Sequence, residues 1–344
     1  MTAVLPGLLL GVIFGAAARA GGFCLLRGLG GLRPGGDLSA LRAFALAMLV
    51  ALGATQALDL AGGTDLGAAM PLKAGNPWPS MLAGGVIFGL GMGLANSCGA
   101  RALVLLAGGN LRALLVLLCL GLSAQATLTG VLAPLRVAAQ HLGQAPALPS
   151  LPQLLAGTGI GFPRALSIAL AALPLGWFAL PLLRRSPSEA AMAALIGLTV
   201  AGGWGITFAG DDPFDPRPLT SISFVGPMGE SLLWTMLSTG RALGFAVAVV
   251  GGTLAGAFAT AILTRSFRPE SFGSPRQTLR AVAGGILMGF GGVLALGCSI
   301  GQGLSGVSTL SLGSVVALAG IAAGGMLALS LFPRSPSTSA GATT

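Results

Sequence analysis

Charge is what this sequence has least of. Only 27 of 344 residues are charged, 18 Lys plus Arg against 9 Asp plus Glu, or 8%. A soluble globular chain carries roughly 25%. So few charges could not cover a water-soluble core of this size. Mean hydropathy is +0.89, and apolar runs recur from the first residues to Phe332. Tyr is absent and His141 is the single histidine. None of the four cysteines, Cys24, Cys98, Cys119 and Cys298, stands in a CxxC pair. That argues against a structural zinc or a thioredoxin-like site and leaves no metal set to assign. No Gly-x-x-x-x-Gly-Lys-Ser/Thr run is present, so this chain has no P-loop for ATP. No long hydrophilic segment could fold as a nucleic-acid-binding domain. The net charge of +9 fits the Lys and Arg that gather in cytoplasmic loops.

What is present is apolar sequence and glycine, 57 residues of it. The runs are continuously apolar over about 20 residues, which predicts helices rather than alternating barrel strands. Spans are expected near 4–20, 40–60, 80–98, 112–133, 164–183, 189–209, 241–264, 279–298 and 312–333. The first lacks a basic start and a clear cleavage site, so it reads as a span and not a signal peptide. Pro174 is expected to kink the fifth. The fold class is therefore all-α: a polytopic membrane protein in one transmembrane domain over 1–334, followed by a disordered tail at 335–344.

Charge predicts orientation. Arg27, Arg33 and Arg42 follow the first span, Arg101 and Arg112 the third, and Arg184 and Arg185 the fifth. Arg265, Arg268, Arg276 and Arg280 follow the seventh, and Arg334 the ninth. Asp59, Asp65, Lys73, Asp211, Asp212, Asp215 and Arg217 lie on the other side. The positive-inside rule then places the N terminus in the periplasm and the C terminus in the cytoplasm. Arg136, Arg164 and Arg241 fall against that pattern.

A repeat is the most informative feature. Gly11-Val12-Ile13-Phe14-Gly15 recurs word for word at 85–89, and a third copy reads Gly285-Ile286-Leu287-Met288-Gly289. A cysteine follows nine residues after the last Gly of each: Cys24, Cys98 and Cys298. Residues 82–98 match 282–298 without a gap at 8 of 17 positions. Cys119 lies outside any copy, in a plain apolar run. After Cys98 and Cys298 come Gly- and Ser-rich stretches that a span cannot continue through. The chain is expected to break at Gly22, Gly99, Gly297, Gly301 and Gly303 and make short re-entrant segments, which membrane depth tolerates only inside protein or along a polar path. The charge pattern makes the second and third copies antiparallel. Halves of about 1–140 and 186–334, joined by a linking span at 164–183, would give an inverted repeat of the kind secondary transporters use. The copy expected near 189–209 has no cysteine.

Thiols are weak, polarisable hydrogen-bonding groups suited to a soft sulfur-bearing solute. Arg27 and Arg101 stand near them as anion-attracting candidates. Ser299, Gln302 and Ser305 are candidate path-lining groups. The alternative is covalent: a membrane sulfurtransferase or thiol redox protein carrying a persulfide or disulfide on these cysteines. A scaffold subunit is a third reading.

Gly21-Gly22-Phe23-Cys24, Leu94-Ala95-Asn96-Ser97-Cys98-Gly99, Ser223-Phe224-Val225-Gly226-Pro227-Met228-Gly229-Glu230 and, above all, the run Leu294 to Gly306 resemble the YeeE/YedE family of sulfur-transport membrane proteins. The likeness runs from about Leu5 to Phe332. It implies a bacterial inner-membrane permease importing thiosulfate or a related sulfur anion. It implies that Cys24, Cys98 and Cys298 pass the solute along by S–H hydrogen bonds without covalent change, with no cofactor. It also implies a small cytoplasmic sulfur-carrier protein as partner. Asn96-Ser97 departs from the family's more usual Gly before this cysteine.

Overall fold

The computed structural model describes residues 3–73, 77–141, 148–157, 161–210, 218–272 and 274–332. Asp211, Asp212, Asp215, Arg217, Arg334 and the tail 335–344 lie outside the described residues. Among those described, the chain is all-helical. In order come α1 (Val4–Ala20), α2 (Leu25–Gly30), α3 (Ser39–Leu60), α4 (Trp78–Ala95), α5 (Gly99–Ala107), α6 (Leu111–Leu128) and α7 (Ala133–His141). Then follow α8 (Leu151–Ala156), α9 (Pro163–Arg185), α10 (Pro187–Ala209), α11 (Val225–Leu237), α12 (Phe245–Leu263), α13 (Pro275–Leu294) and α14 (Leu312–Leu331). A π-helical turn at Gly301–Gly306 lies between the last two. Nine segments among the described residues are long and apolar enough to cross a membrane, and they coincide with the nine expected. α9 runs unbroken through Pro174 and Pro181. The short helices α7, α8 and α11 had no counterpart among the expected spans.

Glycine decides how the long helices meet. Gly84 faces Gly291 and Gly91 faces Gly284: a Cβ at any of the four would lie 2.7 Å from the carbonyl oxygen opposite. α4 and α13 therefore cross antiparallel with their backbones in contact, the small-residue packing of membrane helices. A second face of each helix meets a different neighbour. A Cβ at Gly85 would lie 2.5 Å from Ala317 O on α14, and one at Gly285 would lie 2.7 Å from Val116 O on α6. α1 packs along α12 through Gly7 and Gly11, and Gly197 of α10 packs onto α3 at Ala47 and Ala51. α4 and α13 thus each seat against the long helix that follows the other's copy of the motif.

Loop contacts sort the ends of the spans into two faces. On one face, Arg268 N donates to Gly108 O, Leu111 N donates to Glu270 O, and the Asn110 amide donates to the Glu270 carboxylate. Arg19 joins α1 to the same region, donating to Val104 O at 3.2 Å and to Ser266 Oγ at 2.8 Å. Arg33 donates to Leu329 O near the end of α14. On the other face, Met70 N donates to Leu219 O, Leu151 N to Leu310 O, and Ser311 Oγ to Pro71 O. This grouping is the one the charges imply. Arg164, out of place in that pattern, is paired: its guanidinium meets Asp59 Oδ2 at 2.7 Å and Gln56 Oε1 at 3.0 Å. Arg241 likewise lies within electrostatic reach of Glu230.

Candidate functional site

The three motif cysteines share one backbone design. Two residues before each, the chain enters the left-handed region: Gly22 at φ +56°, Asn96 at +57° and Leu296 at +58°. Each break is closed by the same pair of hydrogen bonds. Phe23 N donates to Ala18 O, Ser97 N to Met92 O and Gly297 N to Gly292 O, while Gly22, Asn96 and Leu296 N donate to the carbonyls three residues back. This is a Schellman closure, which satisfies the carbonyls a helix end leaves open. Left-handed backbone costs Gly nothing and is tolerated by Asn, but it strains Leu by about 1–2 kcal/mol.

Each cysteine then opens the next helical segment. Cys24 is the N-cap of α2 and Cys98 the N-cap of α5, both with extended backbone. The carbonyls of Cys24, Cys98 and Cys298 accept from Gly28 N, Ala102 N and Gln302 N. Backbone N–H groups also reach the sulfurs: those of Leu26 and Arg27 at Cys24, that of Arg101 at Cys98, and that of Gly301 at Cys298, at 3.3 Å. Each sulfur therefore has at least one backbone N–H pointed at it.

These segments also gather the thiols. Cys24 and Cys98 are hydrogen-bonding neighbours, and Cys298 lies within electrostatic reach of Cys98. All three are buried, at 7%, 3% and 1% exposure, and all are free thiols. Cys119, on α6, is half-buried and free and takes no part in these contacts.

The other candidates fall into three groups. Half-buried Arg101, in the first turn of α5, is within charge reach of Cys24 and of Arg19. Arg27 is exposed and lines a cleft of about 240 Å³ with Arg33, Asp37 and Leu329. Gln302 is buried in the π-helical turn; its Nε2 donates to Ala295 O at 2.9 Å and its Oε1 has no partner among the described residues. Ser305 Oγ donates to Ile222 O at 2.8 Å. Ser299 Oγ, 1% exposed, has no partner among the described residues. An unpaired buried hydroxyl costs about 1–3 kcal/mol, which makes Ser299 and Gln302 ready acceptors of an additional ligand. Gly22 lies at a break and Gly297 directly after one. Gly99 begins α5, and Gly301 and Gly303 lie within the π-helical turn.

The sequence placed Ser223 in a family-like segment and not among the path residues. Its Oγ stands 3.9 Å from Cys298 Sγ. A signal for it exists: the offset of 200 that pairs Cys98 with Cys298 pairs Cys24 with Phe224, next to Ser223.

Nine helices among the described residues, long and apolar enough to cross a membrane, define a multi-pass membrane protein. More particularly, the chain belongs to the sulphur transport family, whose model matches residues 20–327. It is also 33% identical over 112 residues to the thiosulfate transporter TsuA of Escherichia coli strain K12. That similarity covers 33% of this chain and 30% of TsuA, so the chain spans about a third of the length of the curated relative it matches.

Proposed function

We propose that this protein is a permease that imports thiosulfate, or a related sulfur-bearing anion, along Cys24, Cys98 and Cys298. The observation that carries the reading is the shared build of the three thiols. Each follows a left-handed break, stands just before a new helical segment, and accepts at least one backbone N–H donor, and Cys24 lies against Cys98. Such a row offers S–H donors to a soft sulfur atom, while N–H groups and Arg101 favour its charge. Hydrogen bonds made and broken in turn move the solute without covalent change, so no reaction is catalysed. The family and the likeness to TsuA support a sulfur anion as cargo.

The antiparallel crossing of α4 and α13 supports an inverted repeat with α9 as the linking span. In that arrangement the segments after the cysteines are re-entrant. Cys24 and Cys98 open toward the arginine-rich face, taken as cytoplasmic, and Cys298 toward the periplasm, in a bacterial inner membrane. The N terminus is then periplasmic and the C terminus cytoplasmic. The exposed cleft at Arg27 and Arg33 lies where a small sulfur-carrier protein would receive the solute.

The test is growth on thiosulfate as sole sulfur source in an uptake-deficient bacterial strain. Cys98→Ala or Cys298→Ala should abolish growth while the protein still reaches the membrane, and Cys119→Ala should not. Full growth of a Cys98→Ala, Cys298→Ala double variant would defeat the role of the thiols. The contact between Cys24 and Cys98 also favours a second reading, thiol redox or persulfide chemistry. Mass spectrometry after alkylation during turnover separates the two: a persulfide or disulfide on Cys24 or Cys98 supports the second, and unmodified thiols support simple passage.

A further inference from the structure

A stretch of chain without helix runs through the interior just before α11. Leu219, Ser221 and Ile222 are buried, and neighbours satisfy three carbonyls of the stretch one at a time. Leu219 O accepts from Met70 N, Thr220 O from Thr207 Oγ1 at 2.6 Å, and Ile222 O from Ser305 Oγ. Irregular backbone at membrane depth survives only inside protein or along a polar cavity. This stretch ends at Ser223, beside Cys298.

Its register gives it meaning. Cys24 caps α2 and its thiol meets Cys98. Two hundred residues on, Phe224 caps α11, and the partner of Cys98 at the same offset is Cys298. The position equivalent to Cys24 therefore holds a phenyl ring, fully buried and packed on Phe14 with centroids 5.1 Å apart. Beside the Gly301 N–H, a side-chain hydroxyl reaches Cys298 from one residue earlier, that of Ser223 at 3.9 Å. Room for it depends on Gly301, where a Cβ would lie 2.6 Å from Ser223 Oγ. Ser299 adds a second, unpartnered hydroxyl next in the chain to Cys298.

We propose that Ser223 is a fourth station on the path, pairing with Cys298 as Cys24 pairs with Cys98, and that it sets specificity. The pair at Cys24 offers two thiols. The pair at Cys298 offers one thiol and one hydroxyl. A hydroxyl is the harder and stronger donor and suits an oxyanion oxygen, whereas the thiol suits a soft sulfur. The Ser223–Cys298 pair thus selects an anion with an oxyanion end and a sulfur end together. This inference rests on the transport reading above.

The test is uptake of labelled thiosulfate into vesicles holding the purified full-length protein. Loss of one hydroxyl donor to a charged oxygen is worth about tenfold in affinity. Ser223→Ala should raise KM about tenfold with the maximal rate within about twofold, and Ser223→Cys, which keeps the size but offers only a weak thiol donor, should recover little of the loss. A merely structural serine would lower the amount of folded protein and the maximal rate and leave KM alone. Gly301→Ala, which drives a methyl group toward the Ser223 hydroxyl, should raise KM in the same direction and serves if Ser223→Ala does not fold. Wild-type KM in Ser223→Ala, with uptake by the wild type intact, overturns the role of Ser223 alone. No uptake by the wild type overturns the transport reading and this inference with it.

Discussion

Helices α13 and α9 are similar in length, 20 and 23 residues, yet the five glycines of α13 and the one of α9 do opposite things. α13 buries nine residues, five of them glycine, and meets α4 and α6 backbone to backbone. α9 buries only Ser167, Ala179 and Leu182, and leaves Trp177 and Leu173 on the outside, 81% and 72% exposed. A Cβ at Gly176 of α9 would meet only Leu49 Cδ2, at 3.7 Å, an ordinary contact. The comparison teaches that a glycine marks close packing through what stands opposite it. What counts is whether a carbonyl stands opposite. Where one does, helices come close enough to hold a broken backbone in place, and the thiols sit at the ends of those helices. α9 faces outward and tolerates two prolines within its length.

Gly91→Ala should break the contrast most strongly. Its methyl would lie 2.7 Å from Gly284 O and 2.8 Å from Met288 N, so the α4–α13 crossing must open. Overpacking of this kind costs about 1–3 kcal/mol, and thermal unfolding in detergent should show a clear fall in Tm. Leu296→Val comes next, with a loss of about 1–2 kcal/mol, because a β-branched residue fits the left-handed break worse than Leu does. Leu296→Asn should stay within about 1 kcal/mol of wild type, since Asn96 already fills the equivalent place. Arg164→Ala should cost about 1 kcal/mol or less, because the pair with Asp59 is partly exposed. The smallest effect is of opposite sign: Gly176→Ala should raise stability by about 0.5–1 kcal/mol, the helix-propensity gain of Ala over Gly in the absence of a clash. Equal losses at Gly91 and Gly176 would remove the basis of the comparison.

Much of this was legible in the residues. Runs of about 20 apolar residues carry their own signal, so all nine spans are readable within a few positions. The cysteine spacing pointed to the neighbourhood of the breaks and to Gly22, but not to Asn96 and Leu296, whereas Gly99, Gly301 and Gly303 stand in helical turns. The extended stretch before α11 was not legible. It is short and rich in Ser and Thr, and its stability comes from distant groups such as Thr207 and Ser305, which no local pattern reports. Arg164 misled the charge count for the same reason, since its partner Asp59 lies 105 residues away. Pro174, expected to kink the fifth span, lies inside α9, which continues through it as helix.

The central claim is that a sulfur anion passes along buried thiols. The most direct measurement is uptake of labelled thiosulfate into vesicles containing only this protein, with wild type and Cys98→Ala compared at equal folded amounts. The account predicts saturable uptake by the wild type and background uptake by the variant. Equal uptake by the two would contradict it.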